Sequence, residues 1–129
     1  MQRSDFEQLV REAVAALPLV GRQAMENIAF VVEGRARRRR GREVAVKKGQ
    51  VLLGLYEGIP KTKRGAGYVA VLPDKITIFQ EPIVALAGDE REKVRALVND
   101  VVWHEVGHHL GFDEREIRAR EMTRKRQSA

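Results

Sequence analysis

Apolar positions along the chain fall into two helical stripes with short β-prone runs between them. Phe6, Leu9, Val10, Ala13, Val14 and Leu17 recur at intervals of three and four until Pro18. Ser4 with Glu7 three residues on reads as a capping box, so this stretch predicts an amphipathic amino-terminal helix. Leu19 to Asn27 carries no decisive period, whereas Ile28-Ala29-Phe30-Val31-Val32 is a compact β-prone run suited to a buried strand. Val51 to Tyr56 and Tyr68 to Leu72 are further short strand candidates, and Gly58, Pro60, Gly65 and Gly67 mark a flexible connection between them. Lys75 to Gln80 alternates Ile76 and Ile78 against Thr77, and the prolines at 73 and 82 that flank it predict an edge strand. From Asp89 the helical period returns and runs to Leu110, with Val94, Leu97, Val98 and Val101 as its stripe.

Composition narrows the chemistry. The chain has 129 residues, 43% of them hydrophobic, which suits one domain over residues 1–129 with a single core. It has no cysteine, so disulfides, thiolate metal sites and a cysteine nucleophile are excluded. Any metal must sit on His, Asp or Glu. No run of roughly 18 apolar residues spans a bilayer, and the start MQRSDFEQLV lacks an apolar signal core, so no membrane partner and a cytoplasmic location are expected. The net charge of +6 is local: Arg35 to Lys48 holds eight basic residues against one acid, a net +7 that leaves −1 elsewhere. The run Arg35 to Arg42 therefore reads as a solvated loop.

Carried on by threes and fours, the second stripe reaches His104, Glu105 and His108, placing the segment His104-Glu105-Val106-Gly107-His108 on the inward side of a helix. Histidines at i and i+4 project from one face about 6 Å apart at Cβ and reach one metal ion together. Glu105 points part of a turn away, which suits a general base acting on water rather than a ligand. Zinc at such a site supplies Lewis acidity and lowers the pKa of water towards about 7. His109 lies off the His104–His108 face and reads as a supporting or surface residue, while Val102, Trp103, Val106 and Leu110 read as core. A third protein ligand is usual for catalytic zinc. Gly111 can take the left-handed conformation that ends a helix and turns the chain back, bringing Asp113 and Glu114 towards the metal. Asp113 with Glu116 also forms a capping pattern for a last helix from Glu114 to about Lys125. If Asp113 caps, Glu114 is free to ligate, so Glu114 ranks first and Asp113 second.

The segment HEVGHHLGFDE shows the HExxHxxGxx spacing of the metzincins, with Glu114 where their third histidine stands and with no Met-turn, since Met122 lies only eight residues beyond. It more closely resembles a family of very small bacterial zincin-like proteins, described as possible metallopeptidases, that carry HExxHxxGxxD or a near variant. Leu52 to Pro60 (LLGLYEGIP) and Pro73 to Phe79 (PDKITIF) look like that family's intervening strands. The resemblance implies an α+β, minimal zincin-like fold: a small mixed sheet, an edge strand lining the cleft, an amino-terminal helix, a motif-bearing helix and a carboxyl-terminal helix. It also implies a zinc-dependent hydrolase acting on peptide or protein substrates, with His104, His108 and Glu114 as ligands and Glu105 as general base.

Other readings stand beside it. Tyr56 or Tyr68 could donate a hydroxyl to a developing oxyanion, although a buried tyrosine with a satisfied hydroxyl is the commoner case. The loop Gly58 to Gly67 suits closure over a substrate or plain mobility equally. The competing function is a vestigial zincin-fold binding module that contacts acidic partners or nucleic acid through its arginine loop. Without interleaved aromatics, that loop gives no sign of single-strand stacking.

Overall fold

The amino-terminal stripe forms helix α1 (Arg3–Ala15), which buries Phe6, Leu9, Val10 and Ala13. The computed structural model describes residues 1–17, 28–36, 52–58, 74–113 and 115–120. The helix starts two residues ahead of the Ser4 cap: Gln2 is its N-cap and makes no side-chain capping bond. Tertiary bonds replace the capping box. Arg3 donates to Gln80 Oε1 at 2.7 Å and to the Val32 carbonyl at 3.2 Å, and Gln80 Nε2 donates to the Met1 carbonyl at 2.8 Å. With the first residues anchored there, Phe6 closes the first helical bond onto the Gln2 carbonyl.

Strands β1 (Ile28–Glu33), β2 (Gly54–Glu57) and β3 (Asp74–Phe79) form a mixed sheet in the order β1-β3-β2. β1 runs parallel to β3 with Phe30 opposite Ile76, and β2 runs antiparallel with Tyr56 opposite Ile76. The expected mixed sheet is present, but the strand expected at the edge is the central one. Pro82 withdraws no donor from the ladder, because it is the third residue of helix α2 (Gln80–Ala87), where an amide has no intrahelical acceptor in any case; Pro73 lies outside the described residues. β3 is accordingly buried on both faces, with Ile76, Thr77 and Ile78 fully inaccessible. The alternation of Ile and Thr reflects two buried faces and not a wet one.

Helix α2 itself was not expected, because Pro82 reads as a terminator when the proline signal is taken alone. In the first turn proline is tolerated, and Glu81 beside it suits the positive end of the helix. Helix α3 (Arg91–His109) then crosses the sheet, packing on β2, β3, α2 and α1. Arg95 pairs with Glu12 between α1 and α3. One core joins Phe6, Leu9, Ile76, Ile78, Ile83, Val94, Val98, Val102 and Val106, all buried.

The strand candidate Tyr68 to Leu72, the arginine run beyond Ala36, the loop beyond Gly58, Glu114 and the chain beyond Arg120 lie outside the described residues. No described helix is long and apolar enough to cross a membrane. Because Ile78 is fully buried in the central strand, Ile78→Ala is expected to lower unfolding free energy in urea by about 2–5 kcal/mol. Leu86→Ala, at the one large apolar side chain exposed among the described residues, is expected to stay within about 0.5 kcal/mol of the parent.

Candidate metal centre and cleft

Helix α3 places its polar residues where its apolar stripe leaves the core. Val98, Val101 and Val102 are buried one to two turns upstream, and the same side of the helix then presents His104, Glu105 and His108. The two imidazoles meet with Nε2 atoms 3.1 Å apart and rings 4.8 Å apart at 75°. The ligand atoms of His104, Glu105 and His108 all lie within 4.8 Å of one another, the one such group among the described residues. Two nitrogens bonded to one tetrahedral zinc at about 2.0–2.1 Å stand roughly 3.3 Å apart. The observed spacing is close to that span, and two imidazoles with a carboxylate are a donor set that zinc accepts. The residues present fit the metal.

Glu105 is only 6% exposed, although it carries a carboxylate. Strand β2 covers it. A Cβ built on Gly54 would stand 2.8 Å from Val101 Cγ1 and 3.1 Å from Glu105 Cγ, so only a glycine lets the strand lie this close to the helix. Between helix and strand runs a cleft of about 590 Å³, walled by Leu52, Leu53, Leu55, Leu97 and Val101 and bordered by His104, Glu105 and His108. Among the described strands, the one that lines this cleft is β2, which pairs with β3.

Gly111 ends the motif helix as expected, at φ 84°. Its amide bonds the His108 carbonyl at 2.9 Å and the Phe112 amide bonds the Gly107 carbonyl at 3.0 Å, the paired bonds of a Schellman turn. The chain reverses there into a helical segment at residues 115–120. Asp113 caps this segment: its Oδ1 accepts the Glu116 amide at 2.8 Å, and Glu116 Oε1 accepts the Asp113 amide at 3.5 Å. The expected capping pair is formed, which occupies Asp113, the second-ranked ligand candidate. Glu114, ranked first, follows it outside the described residues.

A sequence model described as zincin-like metallopeptidase matches residues 25–124. The chain belongs to the zincin-like metallopeptidase family. A search of curated proteins returns no match.

In this zincin-like protein the motif's surroundings contain residues that no local pattern marks. His109 is fully buried, and its Nδ1 lies 2.7 Å from Asp74 Oδ2. The Tyr56 hydroxyl donates to the same oxygen at 2.8 Å. Of the two tyrosines considered as oxyanion donors, Tyr56 therefore has its hydroxyl directed to Asp74, and Tyr68 lies outside the described residues. His109 is therefore not the surface residue that its position also allowed. In sequence Asp74 stands only as part of the strand-like segment Pro73 to Phe79. Its partners are 18 and 35 residues away, so nothing local identifies it. Trp103, Val102 and Val106 are core, as their spacing indicates.

Gly107, the fourth motif residue, sets how closely the last helical segment packs. A Cβ there would lie 2.7 Å from Cγ1 of the buried Ile117. Gly107→Ala is expected to destabilise by about 1–3 kcal/mol despite its better helix propensity. In a double-mutant cycle followed by thermal unfolding, adding Ile117→Ala should recover part of that loss. Additive single effects would show that the two residues do not clash.

Proposed function

We propose that this zincin-like protein is a zinc-dependent peptidase in which His104, His108 and Glu114 hold the metal and Glu105 is the general base. One observation carries the reading: the Nε2 atoms of His104 and His108 converge to 3.1 Å at the edge of a cleft, with the Glu105 carboxylate in the same cluster. Assignment of Glu114 rests on motif spacing, on the turn at Gly111 and on the capping role of its neighbour Asp113.

Zinc, when bound, would supply Lewis acidity to a substrate carbonyl and acidify a water molecule. The protein's own residues divide the remaining work. Glu105 accepts the proton of the attacking water and delivers it to the leaving amine nitrogen, so one carboxylate serves both halves of the reaction. Its burial beside Val101 and Gly54 keeps bulk water from competing for that proton. Strand β2 lies beside the cleft, where Leu52, Leu53, Leu55 and Leu97 offer apolar contact to a substrate's side chains. That apolar lining next to the His104, Glu105 and His108 group favours a peptide over a small polar substrate.

Zinc is expected near one per chain by metal analysis of gently purified protein. Glu105→Gln should keep the metal and lose hydrolysis of a peptide library by roughly 10²–10⁴-fold. His108→Ala should lose the metal; zinc retained in that variant overturns the ligand assignment. Turnover that is insensitive to a chelator rejects metal-dependent hydrolysis. Metal binding without any turnover across peptide and protein libraries favours the binding-module reading.

A further inference from the structure

The geometry points to a positioning device outside the metal cluster: Tyr56, Asp74 and His109 form a clamp that sets the width of the cleft. The inference rests on the reading of the cleft as a peptide site, and it concerns residues that neither ligate nor exchange protons in that reaction.

Asp74 Oδ2 accepts two hydrogen bonds, from the Tyr56 hydroxyl at 2.8 Å and from His109 Nδ1 at 2.7 Å. A carboxylate oxygen has no proton to give, so Nδ1 is the protonated ring nitrogen of His109. His109 is wholly inaccessible and Asp74 is 3% exposed, so neither group has water as an alternative partner. The Tyr56 ring also meets the His109 ring edge-on, at 5.7 Å and 74°.

Each member belongs to a different element. Tyr56 is on β2 and lines the cleft, Asp74 opens β3, and His109 ends the motif helix next to His108. The clamp therefore ties the cleft wall to the helix that carries the metal-binding histidines. Gly58 confirms how tightly the chain is drawn in: a Cβ there would lie 2.5 Å from the Asp74 carboxylate and 2.9 Å from the Tyr56 hydroxyl. Gly54 and Tyr56, two residues apart on one strand, share a face, so β2 is held against α3 at both points. Contact at Gly54 limits how near the strand can come. The clamp at Tyr56 limits how far it can move away, which holds this wall of the cleft at a constant distance from His104 and Glu105.

Tyr56→Phe tests this, because it removes the hydroxyl and keeps the ring. Two probes are titrated against zinc-loaded protein: acetohydroxamate, which is small enough to engage the metal alone, and a leucyl-dipeptide hydroxamate, which also lies along the cleft. The peptidyl probe should weaken roughly tenfold in the variant while acetohydroxamate binds as before. Equal weakening of both, or of neither, overturns the clamp. Amide hydrogen exchange supplies a reading independent of metal: residues 54–57 should exchange faster in Tyr56→Phe while the α1 amides stay unchanged. Uniform acceleration, or none, overturns the proposal. His109→Asn, which keeps a donor near the place of Nδ1, should protect β2 better than His109→Leu does. If acetohydroxamate fails to bind the unaltered protein, the metal reading falls, and exchange at β2 alone decides the clamp.

Discussion

Helix α3 has to be a wall of the hydrophobic core and the carrier of a polar site within the same nineteen residues. Its valines at 94, 98, 101, 102 and 106 are buried against α1, α2 and the sheet, which fixes its axis and rotation. Once that rotation is set, the directions of His104, Glu105 and His108 follow from the helical period. The histidines need no separate support to converge, because i and i+4 positions on a rigid helix are neighbours already. What does need support is the covering of that polar face, since an uncovered helix end would leave it in bulk water.

β2 supplies the cover, and close approach makes it effective. At Gly54 the strand lies on Val101 and Glu105 with no room for a methyl group, and at Gly107 the terminal helical segment is set down on the helix in the same way. The result is a carboxylate that is nearly buried yet borders an open cleft. Hydrogen bonds and charge interactions there are stronger than at the surface because less solvent competes with them. A small protein thus obtains a shielded site by drawing one short strand and one short helical segment tightly against a single helix.

The buried polar groups around the site follow the same logic. Asp74 and His109 are removed from solvent, and they are tolerable there because each is hydrogen-bonded and a tyrosine hydroxyl shares the carboxylate. Gln80 does the equivalent at the other end of β3, where it links Arg3 to the Met1 carbonyl. Polar residues flanking the central strand, and not only its isoleucines, therefore determine how the amino terminus and the motif helix are attached to the sheet.

Much of this was legible along the chain wherever the information is local. The 3.6-residue period marked α1 and α3, the motif and its spacing marked His104, Glu105 and His108, and Gly111 with the Asp113–Glu116 pair marked the turn and cap that follow. Each depends on residues within a few positions of one another, so side-chain chemistry and helical geometry suffice. The place of β3 at the centre of the sheet, the role of Pro82 inside a helix, the start of α1 at Arg3 and the partnership of Asp74 with His109 and Tyr56 were decided only by tertiary structure. In each, a local signal was outweighed or completed by a group distant in sequence. Which strand becomes an edge, and which acid meets which histidine, depends on how buried surface and hydrogen bonds are shared across the whole fold, and no window along the chain contains that.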